Sequence, residues 1–167
     1  RALMSQLNLL LSRFEEVYGI NKNEEEISQR FAGVIQRAYQ QTGKQVVILV
    51  DEYDKPLLQT MGVNEALNEQ YRNELKAFYS VIKTCDEYIR FAFLTGVTKF
   101  SKISIFSDLN NLKDISLHET YAGICGITQK ELEDNFEPEI QALAERQELD
   151  YPQAIAALKQ WYDGYLF

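Results

Sequence analysis

Val46-Val47-Ile48-Leu49-Val50-Asp51-Glu52 is a run of apolar, mostly β-branched residues cut off by two adjacent carboxylates. An unbroken apolar run of this length reads as a strand buried on both faces of a parallel sheet, whereas a half-solvated strand would alternate. A second such run, Ile89 to Leu94, ends at Thr95-Gly96. Between the two lies a helical pattern on Leu67, Tyr71, Leu75, Phe78, Tyr79 and Ile82. Strand, helix, strand with a crossover of this length implies parallel pairing, so the fold class expected is α/β, a doubly wound parallel sheet flanked by helices. Asn111 to Leu117 supplies a candidate third strand.

Helical stripes precede and follow this core. Leu3, Leu7, Leu10, Leu11, Phe14, Val17 and Tyr18 share one helical face, and Ile27, Phe31, Val34, Ile35, Ala38 and Tyr39 mark a second helix that stops near Gly43. The chain opens on Arg1 directly inside the first stripe, which leads us to expect a longer protein around it. Past Leu117 the pattern is helical. Thr128-Gln129-Lys130-Glu131 is a capping box that opens a helix carrying Leu132, Phe136, Ile140 and Leu143. Pro152 starts another through Ile155, Leu158 and Trp161, with Gly164 placed to end it. The expected division is an α/β core over residues 1–117 and a helical, lid-like subdomain over 118–167.

Composition narrows the function. With 167 residues, 46% of them hydrophobic, the chain can bury one core, and disorder is not expected. The net charge of -8 repels phosphate backbones, so this segment is not expected to bind nucleic acid electrostatically. Cys85 and Cys125 are far apart and form no CxxC pair, which fits a reducing compartment and neither a disulfide scaffold nor a zinc site. No apolar run reaches the roughly 20 residues of a membrane span, and no signal segment opens the chain; it reads as cytoplasmic, with no membrane partner.

The chemistry expected follows from where the strands end. Ligands of open α/β sheets gather at the carboxyl ends of the strands, so Asp51 and Glu52 should face a site. An apolar strand ending in two carboxylates is the Walker B arrangement: Asp51 would hold magnesium, usually through water, and Glu52 would orient and polarise the water that attacks a γ-phosphate. Thr95, ending the neighbouring strand, takes the position from which a hydroxyl contacts that water or the phosphate. The bland alternatives are two carboxylates that solubilise a strand end and a threonine that begins a turn. The phosphate cradle GxxxxGK[ST] is missing from the chain. Thr42-Gly43-Lys44-Gln45 holds its GK pair between a helix end and a strand start, without the earlier glycine, and reads as a helix stop. The cradle is expected upstream of Arg1.

Four ordered blocks carry a family resemblance: Val46 to Pro56, Phe93 to Lys102, Ile105 to Leu112, and Trp161 to Tyr165. Together they resemble the bacterial AAA-ATPase-like proteins over most of the chain from Ile27 to Phe167. That resemblance implies a P-loop NTPase sheet of the ASCE type, ATP and magnesium as cofactors, an upstream P-loop and a downstream PD-(D/E)XK nuclease-like domain as neighbour. On it, Lys99 and Asn110 become the candidate cofactor-binding residues: Lys99 and Lys102 could reach phosphate or the attached domain, and Asn110 and Asn111 could orient the loop near the site; solvated loop lysines and turn-forming asparagines are the competing readings. Tyr53 and Asp54 are read as the start of the next helix, and the single His118 as uninvolved.

Two further functions compete with an ATP-driven switch. One is a non-catalytic scaffold derived from an ATPase fold. The other is a metal nuclease on Asp51, Glu52 and Lys55, disfavoured because these residues run from a strand end into a turn before Pro56. With strands missing upstream, one side of the sheet should be exposed, and self-association of the isolated chain through that edge is expected.

Overall fold

The computed structural model describes residues 2–97, 105–106, 109, 111–116, 118–121, 123–124 and 126–162. The chain divides into two compact units, Arg1–Leu112 and Lys113–Phe167.

In the first unit, α1 (Ala2–Tyr18) and α2 (Ile27–Thr42) lead into β1 (Val46–Val50). A single turn, α3 (Lys55–Leu58), and the long α4 (Glu65–Thr84) then carry the chain to β2 (Ile89–Leu94). α2 stops where Gly43 takes a left-handed φ of 65° and donates its N–H to the Tyr39 carbonyl at 2.8 Å. This is the conformation glycine adopts without penalty, so the GK pair is a helix stop. α4 starts where the Asn64 side chain accepts the Leu67 N–H at 3.0 Å, covering a donor the helix itself leaves unpaired.

β1 and β2 pair in parallel, from Val46 opposite Ile89 to Val50 opposite Leu94. Asn111–Ser116 form turn and irregular backbone, so the third strand is not found there; Leu117 lies outside the described residues. The expectation of burial on both sheet faces also fails. Ile48, with Val46, Val50, Ala92 and Leu94, joins the core built by Ile35, Leu75, Phe78, Tyr79 and Ile82. The alternate positions are open: Leu49 is 70% exposed and Val47 and Phe91 are 53% exposed, with the Phe91 and Phe93 rings stacked at 6.2 Å. The physical reason is that an apolar run states only what the strand prefers, and the helices of this unit that share the strands' core cluster cover one face.

The buried stripe of α1 is also rotated from the expected one. Leu3, Met4, Leu7 and Leu11 enter the core, while Leu10, Phe14 and Val17 stay exposed. Continuing the i, i+4 row from Leu11 is Glu15, buried because Arg30 of α2 grips both of its carboxylate oxygens, at 2.8 and 2.7 Å. Arg30 also donates to Ser12 and Asn8 of α1. That fork geometry is what permits an ion pair to be buried. The Arg30 hydrogen bonds hold the Glu15 carboxyl below its ordinary 4.5. A depressed acid stabilises the fold above its unfolded pKa and loses that contribution as pH falls through the folded value. Thermal melts of wild type and Glu15→Gln should therefore differ most above pH 4.5 and converge at lower pH; a gap that widens on acidification would contradict the pairing.

The second unit is helical: α5 (Gln129–Asn135), α6 (Glu137–Gln147) and α7 (Tyr151–Tyr162). The capping box forms as expected, with the Thr128 Oγ1 accepting the Glu131 N–H at 3.3 Å and the Glu131 carboxylate accepting the Thr128 N–H at 2.9 Å. The one helix expected through Leu143 is two, broken at Phe136, because Pro138 has no N–H to continue the ladder and fits only a first turn. Ile140, Ala144 and Ala154 form this unit's core, with Leu132, Ile155 and Leu158 against it. Trp161 and Tyr162 are exposed, and Gly164 and Cys125 lie outside the described residues. No described helix is long and apolar enough to cross a membrane.

Candidate functional site

Parallel pairing, in step from Val47 opposite Phe91 onward after a register shift at Val46, brings the carboxyl ends of β1 and β2 to the same rim, and the hydrogen-bond ladder runs on past the strands. Thr95 donates its N–H to the Val50 carbonyl at 2.9 Å, and its carbonyl accepts the Tyr53 N–H at 2.9 Å. One residue of the β2 exit therefore bridges both sides of the turn that holds Asp51 and Glu52. Inside that turn Glu52 has a φ of 53°, a left-handed conformation uncommon in a residue with a Cβ, taken also by Glu148 at the end of α6.

The Thr95 hydroxyl ties the acidic pair together. Its oxygen accepts the Glu52 N–H at 3.2 Å, and its proton is donated to Asp51 Oδ1. Asp51, Glu52 and Thr95 are thus one hydrogen-bonded group, with both carboxylates exposed to solvent. Glu52 Oε2 pairs with Lys55 Nζ at 2.5 Å, across the start of α3. The hydrogen bond to that carboxylate raises the Lys55 ammonium above its ordinary pKa. Exposed pairs of this kind are weak, so Lys55 parks the Glu52 side chain without locking it.

Asp54 is a residue that the reading of the chain as a helix start undervalued. It does precede α3, its carbonyl accepting the Leu57 and Leu58 N–H groups at 3.0 Å each. Its side chain, however, is 0% exposed and turned across the turn, where Val97 donates its N–H to Oδ2 at 3.0 Å and to Oδ1 at 3.2 Å. Beside it the Tyr53 ring is buried against Phe106, with centroids 4.8 Å apart, and Tyr79 also packs on Phe106 with its ring tilted. Burial, with Tyr53 and Asp54 nearby, pushes the Tyr79 hydroxyl well above its usual range, so it remains a neutral donor. The signal for Asp54 in the sequence was slight: a third acid just after the pair, before Lys55-Pro56.

Lys99, Lys102 and Asn110 lie outside the described residues. Asn111 is elsewhere: its side chain donates to Asp86 at 3.1 Å, just ahead of β2, the opposite end of that strand from Thr95. His118 accepts the Thr120 N–H within its own turn, at 3.3 Å. Among the described residues no group of three His, Cys, Asp or Glu side chains converges to hold a metal unaided. The donor set at the rim suits a hard, hydrated cation all the same: a carboxylate has about four lone-pair sites, and Asp51 spends one on Thr95.

Residues 1–106 match the family described as "Predicted AAA-ATPase" (AAA-ATPase-like). The match begins ahead of Ile27 and covers both strands and the whole rim, but stops short of the block at Trp161–Tyr165. A protein of Azotobacter chroococcum mcd 1, named as an uncharacterized protein in the vnfD 5' region, is 42% identical over 156 residues. That alignment takes in 93% of this chain and 28% of the relative, so the chain spans under a third of the relative's length. No solved structure matches the chain.

Proposed function

Since the chain belongs to the predicted AAA-ATPase (AAA-ATPase-like) family, we propose that its rim is the Walker B half of a magnesium-dependent ATP-hydrolysing site in the full-length protein. The observation that carries this reading is the hydrogen-bonded group of Asp51, Glu52 and Thr95 at the carboxyl ends of two parallel strands. Magnesium, when bound with ATP, would supply positive charge against the charge that develops on transfer. Asp51, its Oδ1 accepting the Thr95 proton, would hold that ion through its hydration shell. Glu52 accepts the proton of the attacking water once its carboxylate swings away from Lys55. Thr95, held by its backbone at both sides of the turn, sets the spacing between the two acids.

The β- and γ-phosphates need the clustered backbone amides and lysine of a GxxxxGK[ST] loop, a motif this sequence does not contain, so the reading requires a phosphate loop from residues beyond this chain. Lys99 and Asn110, on the segment that follows β2, are further candidates to touch the nucleotide, on the family resemblance alone. In the full-length protein hydrolysis would act as a switch, changing contacts with a neighbouring domain of the nuclease-like kind.

The test is ATP turnover by the full-length protein as magnesium is titrated. Wild type should be silent without magnesium, and Asp51→Asn should raise the magnesium concentration required by on the order of tenfold, as losing a carboxylate that holds the ion's shell does elsewhere. An unchanged magnesium titration would remove Asp51 from this role. A full-length wild type that neither binds nor hydrolyses ATP but keeps a specific protein partner would replace the enzyme reading with the scaffold one, and turnover by this chain alone would refute the need for a separate phosphate loop.

A further inference from the structure

We propose that Asp54 is the positioning residue of this rim: a buried carboxylate that clamps the β2 exit and thereby keeps Thr95 bridging Asp51 and Glu52. The proposal rests on the ATPase reading for its effect on turnover, and on geometry alone for the clamp.

Three consecutive residues of the β2 exit are each held by the turn after β1. Thr95 is held through its backbone by Val50 and Tyr53, and Gly96 lies against the Tyr53 ring so closely that a Cβ there would be 2.3 Å from Cε1. Val97 is held by both oxygens of Asp54, at 3.0 and 3.2 Å. Asp54 is the member of this set that costs most to place there. A fully buried carboxylate loses its hydration and is tolerated where hydrogen bonds take its place. Nothing in a mere helix start requires it, because a helix N-cap carboxylate serves its own helix, and the Asp54 side chain makes no cap bond to α3.

What the clamp holds in place is a strained turn. Glu52 has its left-handed φ of 53° while its N–H meets the Thr95 hydroxyl at 3.2 Å and its carbonyl accepts the Lys55 N–H at 3.0 Å. Such a conformation persists in a residue with a Cβ when its surroundings over-determine it. Freed at Val97, the exit loop would let Thr95 drift, and the hydroxyl bridge and the left-handed Glu52 would relax together. Asp54, fully buried, is a positioning residue and not a catalytic one. It acts through Thr95, so its loss should lower kcat and spare binding.

The experiment compares Asp54→Asn, Thr95→Ala and the double variant in the full-length protein, with amide hydrogen exchange at Val97 read alongside. Asp54→Asn should lower kcat roughly tenfold with KM for MgATP within about threefold, since an error of position and not of binding is introduced. In the Thr95→Ala background the same change should do little more, because the bridge it maintains is already gone. Val97 exchange should be slow in wild type and faster in Asp54→Asn. Wild-type kcat in Asp54→Asn, losses that multiply in the double variant, or a Val97 amide that exchanges freely in wild type would each overturn the proposal. If Asp54→Asn does not fold, the wild-type Val97 exchange still decides the clamp. If wild type has no ATP turnover, the ATPase reading fails by itself, and Val97 exchange in Asp54→Asn decides the clamp separately.

Discussion

Glu52→Gln in the full-length protein is expected to lower ATP turnover by about 100-fold or more while leaving ATP affinity nearly unchanged. Glutamine matches glutamate in shape, so the left-handed turn, the bond from the Glu52 N–H to Thr95 and the Asp51 bridge should survive the change. What disappears is the capacity to accept a proton, which positioned bases contribute at about 10²–10⁴-fold. The pair with Lys55 also goes, and the lysine's raised pKa should relax toward its ordinary value. Lys55→Met separates these effects. It removes the pair but leaves the carboxylate, so turnover should stay within a few fold of wild type. Turnover and ATP binding measured side by side give the answer: a Gln variant retaining a tenth or more of wild-type turnover would take the base role from Glu52, and a Lys55→Met variant as inactive as Glu52→Gln would move the function to the ion pair.

The sequence was most legible where chemistry and period coincide. The parallel pair, its crossover helix and the helix stop at Gly43 follow from apolar runs, a 3.6-residue stripe and a glycine after it, and each is found. Asp51, Glu52 and Thr95 come together because parallel register makes neighbouring strand ends neighbours in space, and register is what the two runs encode. The rest was hidden for physical reasons. A run such as Val46 to Val50 looks the same whether one face or both are covered, so the open face of Val47, Leu49 and Phe91 could not be read from it. The phase of α1 turned on Glu15, which looks like a solvent residue until Arg30 of another helix is seen beside it. Asp54 does start α3, as read, but the contact of its side chain was hidden for the same reason. Its partner, the Val97 N–H, is 43 residues away and is a backbone group, which leaves no trace in side-chain pattern.

Gly96→Ala should destabilise the protein by about 1–3 kcal/mol, the range of an overpacked core, and disturb the rim by the same act. The reason is not backbone freedom. At Gly43 a Cβ would meet nothing within 4 Å and only the left-handed φ resists substitution, whereas at Gly96 the obstacle is a ring. A Cβ there would lie 2.3, 2.7 and 2.8 Å from three carbons of Tyr53, closer than non-bonded carbons approach one another. The ring has little room to retreat, being buried and packed on Phe106, which is packed in turn on Tyr79. The exit loop must yield instead, and it carries Thr95 on one side and the Asp54-held Val97 on the other. Tyr53→Leu should therefore rescue it. Alone that change costs stability by leaving a cavity, but combined with Gly96→Ala the losses should fall short of additive by about 0.5–3 kcal/mol, the coupling expected of residues in direct contact. Urea melts of the two single variants and the double variant measure that coupling. Strict additivity would mean that the ring is not what excludes a side chain at position 96, and the tight seam between the two strand ends would lose its physical basis.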